Sequence, residues 1–285
     1  MDSSRSVRSG ILEILGETIH TFMGDEGGPP PELIAMFTGS SPHKVPENRT
    51  SNTGASALPS ARPPLQTETP PTGTLLSGAP LAEPERPLIC AFNFPAVALT
   101  LGEARWPEIR EYYLDLARDP LPKVRRTLAA SLGEMARIIG SHHALNDLLP
   151  VLRSTLRVGD EVGKIKAVEC LEILVGMIEE QHRSAIAFEL DDLWTSSLRG
   201  WREREAFAKT FGGLSSLFRN SGDAVQSLVS KALTDDVSAV REEAISQVRL
   251  DTIILAIITD RSSLKGTEMF GGTWLQFCCC SWTAR

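Results

Sequence analysis

The chain has 285 residues, 42% hydrophobic and 23% charged, with a net charge of −7 and a pI near 5.4. That acidic balance argues against phosphate-backbone binding as the main activity, which a basic patch would serve. No apolar run reaches the ~18 residues of a membrane span, the N-terminus lacks the apolar core of a secretory signal, and five cysteines make no disulfide framework.

In chain order, residues 8–23 read as an amphipathic helix with Ile11, Ile14, Leu15 and Ile19 on one face. Gly24-Asp-Glu-Gly-Gly breaks it, and Pro29-Pro30-Pro31 starts a short helix around 32–37. From Gly39 to Pro87 the composition changes: ten of the 18 prolines lie there, with no aromatic residue. Such a stretch buries too little apolar surface to offset its ordering entropy, so disorder is expected. Ser41-Pro42 and Thr69-Pro70 within it fit proline-directed phosphorylation. Order is expected again from Leu88, with a helix at 94–101. The simplest organisation is one helical repeat, 31–38 and 94–101, split by a long insertion.

From residue 105 a period takes over. Asp-x4-(Val/Ile)-(Arg/Lys) occurs at Asp119…Val124-Arg125, Asp160…Ile165-Lys166 and Asp235…Val240-Arg241. Arg125, Lys166, Arg204 and Arg241 are 41, 38 and 37 residues apart. A repeat near forty residues in helix-forming sequence marks a helical solenoid. Helix pairs are expected at 107–118 and 122–139, 144–156 and 162–180, 184–198 and 201–219, and 222–233 and 236–249. Pro107 and Pro122 fall where a first helical turn tolerates proline. Asp119, Asp160 and Asp235 are expected to cap the second helices. The following cation would reach the Asp of a neighbouring repeat, building a ladder of Asp119, Arg125, Lys166, Arg204, Asp235 and Arg241. The third repeat departs from the pattern, with Leu198 in place of Asp and Trp201 nearby. No segment alternates with period two, so the fold class is all-α.

Catalytic chemistry is not apparent. There is no glycine-rich phosphate loop, G-x-S-x-G turn or H-E-x-x-H helix. His142-His143 reads as a solvated or capping pair at an inter-repeat turn, His182 stands alone, and Glu179-Glu180 and Asp191-Asp192 read as solvated faces. Cys90 and Cys170 read as small core residues. No cofactor, metal or small-molecule substrate is expected, nor a nucleic acid or membrane partner. Asn48-Arg-Thr50 fits a glycosylation sequon but lacks a secretory context.

Residues 90–140 carry a resemblance. Cys90-Ala-Phe-Asn-Phe-Pro-Ala-Val-Ala-Leu-Thr-Leu-Gly, then Trp106, Glu108-Ile-Arg-Glu-Tyr-Tyr-Leu, then Lys123-Val-Arg-Arg-Thr-Leu-Ala-Ala-Ser-Leu-Gly-Glu-Met-Ala-Arg-Ile-Ile-Gly is similar to the HEAT-repeat regulatory subunit 1 family of protein phosphatase 4, fungal members most. The resemblance covers roughly 5–38 and 88–249. It implies an armadillo-like HEAT α-solenoid: upstream HEAT helices at 5–38, a disordered insertion at 39–87, the array at 88–249, and an atypical tail at 250–285. It implies a non-catalytic scaffold in the cytoplasm, with the nucleus as second expectation, that binds the catalytic subunit of a type-2A-like serine/threonine phosphatase. It also implies a chain that starts within a longer array and stops after about four complete pairs.

In the related phosphatase 2A scaffold the catalytic subunit rests on the intra-repeat turns. By that resemblance the edge carrying Pro120, Lys123, Asp160, Glu161, Trp201, Arg202 and Asp236 is the expected docking ridge. Trp201 is the best single candidate, with packing against Leu198 as the alternative. The alternative function is a HEAT adaptor for transport or chromatin. Past Leu250 the pattern fails, and the tail reads either as a gene-model or splice artefact or as a segment acylated at Cys278, Cys279 and Cys280.

Overall fold

The computed structural model describes residues 5–39 and 85–250. Most of the expected disordered stretch, and the tail beyond Leu250, lie outside the described residues. Within them every regular element is helical: α1 (Arg5–His20), α2 (Pro31–Thr38), α3 (Arg86–Arg105), α4 (Pro107–Ala117), α5 (Pro122–His143), α6 (Leu149–Val158), α7 (Glu161–Glu169), α8 (Leu171–Met177), α9 (Glu180–Ser196), α10 (Trp201–Lys209), α11 (Phe211–Leu217), α12 (Gly222–Leu233) and α13 (Ser238–Leu250).

Helix starts follow local chemistry. Pro31, Pro107 and Pro122 each occupy the first helical position, where the missing N–H has no intrahelical role. Gly39 closes α2 with a left-handed φ of 75°, which a side chain would resist. Gly102 and Gly140, at φ 67° and 78°, turn the chain sharply inside α3 and α5. The second helices expected at 162–180 and 201–219 are each divided, at Cys170 and Thr210. The helix expected from 144 opens with a π-helical turn, Ala144–Leu148, before α6.

The helices form two layers. First helices α2, α4, α6, α9 and α12 lie on one side; second helices α3, α5, α7/α8, α10/α11 and α13 pack on each other along the other, with α1 against α3. Phe37, Phe94, Trp106, Tyr112 and Tyr113 bind α2, α3 and α4 together, with ring centroids 5.0–6.4 Å apart. Arg86 Nη1 donates to the Met36 carbonyl at 2.8 Å, so the chain on either side of residues 40–84 closes into one repeat. A second aromatic group, Trp194, Phe207 and Phe211, joins α9 to α10 and α11. Cys90 and Cys170 are both buried. By length and apolarity α3 alone among the described helices could cross a membrane, which revises the reading that no segment qualifies. Its Cys90, Ala91, Phe94, Val97, Ala98 and Leu101 are buried inside the solenoid.

Second helices approach one another at glycines. A Cβ on Gly16 would stand 2.6 Å from the Cβ of Asn93, and one on Gly133 would stand 3.2 Å from that of Ile173. Among the described residues one buried polar side-chain atom, Tyr113 Oη, has no hydrogen-bond partner. Removing an unsatisfied buried hydroxyl recovers its desolvation penalty. Tyr113→Phe is therefore expected to raise stability by about 1 kcal/mol, read as a higher denaturant midpoint at unchanged slope.

Candidate partner-binding ridge

The turns between first and second helices are Arg118–Leu121, Gly159–Asp160, Ser197–Gly200 and Thr234–Val237. Three have four residues; the second has two. That difference resets the register of α7 and corrects the ladder read from spacing. Counted from each helix start, the fourth residue is Arg125, Lys164, Arg204 and Arg241. Lys164, not Lys166, is the structural counterpart. Lys166 is half-exposed and pairs with Glu169 on its own helix at 2.8 Å.

Three arginines use one clasp. Nη1 of Arg125 donates to the carbonyls of Asp119 (2.6 Å) and Pro120 (3.0 Å). Arg204 does the same to Leu198 (3.3 Å) and Arg199 (2.8 Å), and Arg241 to Asp235 (2.6 Å) and Asp236 (2.9 Å). Each arginine thus ties its own turn, satisfying turn carbonyls that lie outside the helical hydrogen-bond ladders. Among the described residues the bonds of Arg125 and Arg241 stay within their own turns and do not reach a neighbouring repeat as expected.

The capping expectation is also corrected. Asp119 and Asp235 accept from backbone amides two residues on, Leu121 at 2.8 Å and Val237 at 3.0 Å, bracing the turn before the helix begins. Asp160 alone of the three stands at the N-cap position, because its turn is shorter, but it makes no side-chain capping hydrogen bond there.

Neighbouring turns are joined by three links. Arg126 donates to Asp160 at 2.6 Å, Lys164 to the Ser197 carbonyl at 2.7 Å, and Arg204 to Asp235 through two nitrogens at 2.6 and 3.2 Å. Only the Arg204–Asp235 link joins residues named from the spacing. At the third link the fold accommodates an anomaly. Glu203 occupies the buried site that Val124, Gly163 and Val240 fill elsewhere. It accepts from the Gly200 amide at 3.1 Å and lies 3.7 Å from Lys164. Burial tends to raise the Asp160 and Asp235 carboxyls; hydrogen bonds from Arg126 and Arg204, with backbone amides, outweigh it and hold both below the ordinary range.

The links bring neighbouring turns together, and exposed apolar side chains stand at three of them. Leu121 is 47% exposed, Val158 82%, Val162 46% and Trp201 37%. They come from three successive repeats. Pro120, Lys123, Glu161, Arg202 and Asp236 are exposed beside them, whereas the Asp160 carboxylate is taken up by Arg126. Leu198 is buried and Trp201 is not, so the two do not form a common core. Spacing missed Leu121, Val158 and Val162, because an aliphatic residue in a helical pattern reads as core. Between α7 and α10, Ile165, Glu169, Trp201, Arg202, Glu205 and Ala206 border a groove of about 430 Å³. Arg202 stacks on the Trp201 ring at 4.5 Å.

The other sequence candidates divide. His143 Nδ1 lies 3.2 Å from Asp147 within the helical stack, not in a solvated turn. Asp191 is not merely solvated: Lys231 binds it at 2.8 Å and holds α12 to α9. Among the described residues no group of three metal-ligating side chains converges.

Residues 90–193 match the family model described as protein phosphatase 4 regulatory subunit 1 middle domain. The chain is 36% identical over 155 residues to serine/threonine-protein phosphatase 4 regulatory subunit 1 of Homo sapiens, and equally to those of Mus musculus and Rattus norvegicus. Each match covers 53% of this chain and 16% of the relative. The chain therefore spans a small part of these relatives, and the resemblance read from residues 90–140 is borne out.

Proposed function

We propose that this chain, whose residues 90–193 carry the middle domain of protein phosphatase 4 regulatory subunit 1, is a non-catalytic scaffold for a phosphatase catalytic subunit. The observation that supports this docking site is the exposure of Leu121, Val158, Val162 and Trp201 at three successive, mutually linked turns. Exposed apolar side chains gathered on one surface, rimmed by charge, are what protein interfaces are built from. Arg126 bound to Asp160, and Lys164 to the Ser197 carbonyl, join the three turns that carry them. Its place of action would be the cytoplasm or nucleus.

The test is capture of partners on the tagged full chain, identified by mass spectrometry. The type-2A-like catalytic subunit is the expected prey. Leu121→Asp combined with Val158→Asp should reduce its recovery about tenfold or more. Because both side chains face solvent, the melting temperature should barely move, with stability changing by about 0.5 kcal/mol per site or less. Recovery of transport factors or chromosome proteins without a phosphatase would replace this reading with the adaptor one.

A further inference from the structure

The geometry points to the groove between α7 and α10 as a receptor for a partner segment bearing an apolar side chain close to a carboxylate. The inference goes beyond the phosphatase assignment, since it holds for any protein that presents such a segment.

The apolar floor comes from Ile165 of α7 and from Trp201 and Ala206 of α10. Trp201 is the first residue of α10, whose start is fixed by the Gly200–Glu203 bond and by Lys164 behind it. The indole is thus an exposed aromatic on a rigid backbone, which keeps the entropic loss on binding small.

Charge selects the occupant. The Arg202 guanidinium lies over one face of the indole, 4.5 Å from its centroid. Among the described residues its charged partner is Glu161 at 3.6 Å, beyond hydrogen-bond length, with both side chains exposed. Stacking pre-positions a planar fork whose donors are open, and such a fork matches a carboxylate in two-point fashion. The groove's own carboxylates are each paired with a lysine. Glu169 is held by Lys166 at 2.8 Å and Glu205 by Lys209 at 3.1 Å. Those lysines are occupied in turn, so among the described residues the groove's most available cation is Arg202, held only loosely by Glu161, and a single cation suits a carboxylate over a doubly charged phosphate.

The experiment follows the Trp201 indole N–H by NMR on the full chain, assigned through Trp201→Phe. The probe is a short glycine–serine peptide carrying one phenylalanine followed by two glutamates. Its comparison peptide has lysines in place of the glutamates. The Trp201 signal is expected to move with the acidic peptide and not with the basic one. Arg202→Ala should weaken the acidic peptide about tenfold, and Glu161→Gln, which removes the competing carboxylate, should tighten it about two- to threefold. Unchanged signals from the Trp106 and Trp194 indoles will show that each variant keeps its fold. Equal response to both peptides, or a stationary Trp201 signal, would overturn the inference.

Discussion

Replacing Asp147 by alanine is expected to destabilise the chain by about 3–5 kcal/mol, lowering its melting midpoint by about 10 °C. The side chain is almost wholly buried. Its Oδ2 accepts from the Trp106 indole N–H at 2.8 Å and its Oδ1 from Arg110 Nε at 2.7 Å, with His143 Nδ1 3.2 Å away. One carboxylate therefore links α4, the end of α5 and the π-helical turn. Alanine strands the indole N–H of Trp106, itself fully buried. Asp147→Asn keeps an acceptor for that N–H but loses the charge facing Arg110, and about half the effect is expected. Thermal melting of the two variants beside the unsubstituted chain decides the matter, and an Asp147→Asn midpoint equal to that of the unsubstituted chain would show that the charge contributes nothing.

The same group has a pH signature. Burial pushes its pKa up, and hydrogen bonds from Trp106, Arg110 and His143 together pull it down further, so the folded value lies below the ordinary 3.8. On acidification the unfolded chain takes up protons first. The stabilisation is complete above the ordinary value and is lost as pH falls through it toward the folded one. Asp160 and Asp235 shift in the same direction. Stability should be level near neutrality and decline steadily below about pH 5. In Asp147→Asn that decline should be shallower.

Arg204→Ala is expected to have a comparable effect, of about 3–5 kcal/mol, confined to one place. Arg204 both clasps its own turn and pairs doubly with Asp235, with side chains only 17% and 6% exposed. Its loss leaves a largely buried carboxylate without its main cation. In a solenoid, stability is roughly a sum over repeats and their interfaces. The damage should therefore appear as faster amide exchange across α12 and α13, with protection in α3 to α5 retained. Arg125→Ala removes the clasp without a neighbouring partner and should cost about 1–2 kcal/mol. A uniform loss of protection over the whole chain would contradict the repeat-local account.

The period, the all-helical character and the prolines at helix starts were legible because each is a local property. Val124 and Val240 fell in buried places for the same reason. Turn length was not legible: Gly159-Asp160 looks like any other helix break, yet its two residues shift α7 and exchange Lys166 for Lys164. Asp147 was hidden between the apolar positions Leu145 and Leu148, in a segment whose helical phase the π turn alters. A signal existed in the separation of Trp106 from Asp147, 41 residues, about one repeat. The ridge residues Leu121, Val158 and Val162 carry no mark of exposure in one dimension, since their position at the edge depends on how repeats stack.

The glycine contacts between second helices give the array a directional compliance. At Gly16 the backbone of one helix already lies against the Asn93 side chain of the next, and at Gly133 against that of Ile173, with no room for a Cβ at Gly16 and little at Gly133. Interiors packed to this density resist compression. Neighbouring second helices can move apart at the expense of these contacts, but they cannot draw closer. Under load the solenoid should behave as a spring that opens and does not tighten, so a cargo larger than the resting spacing is accommodated and a smaller one is not gripped.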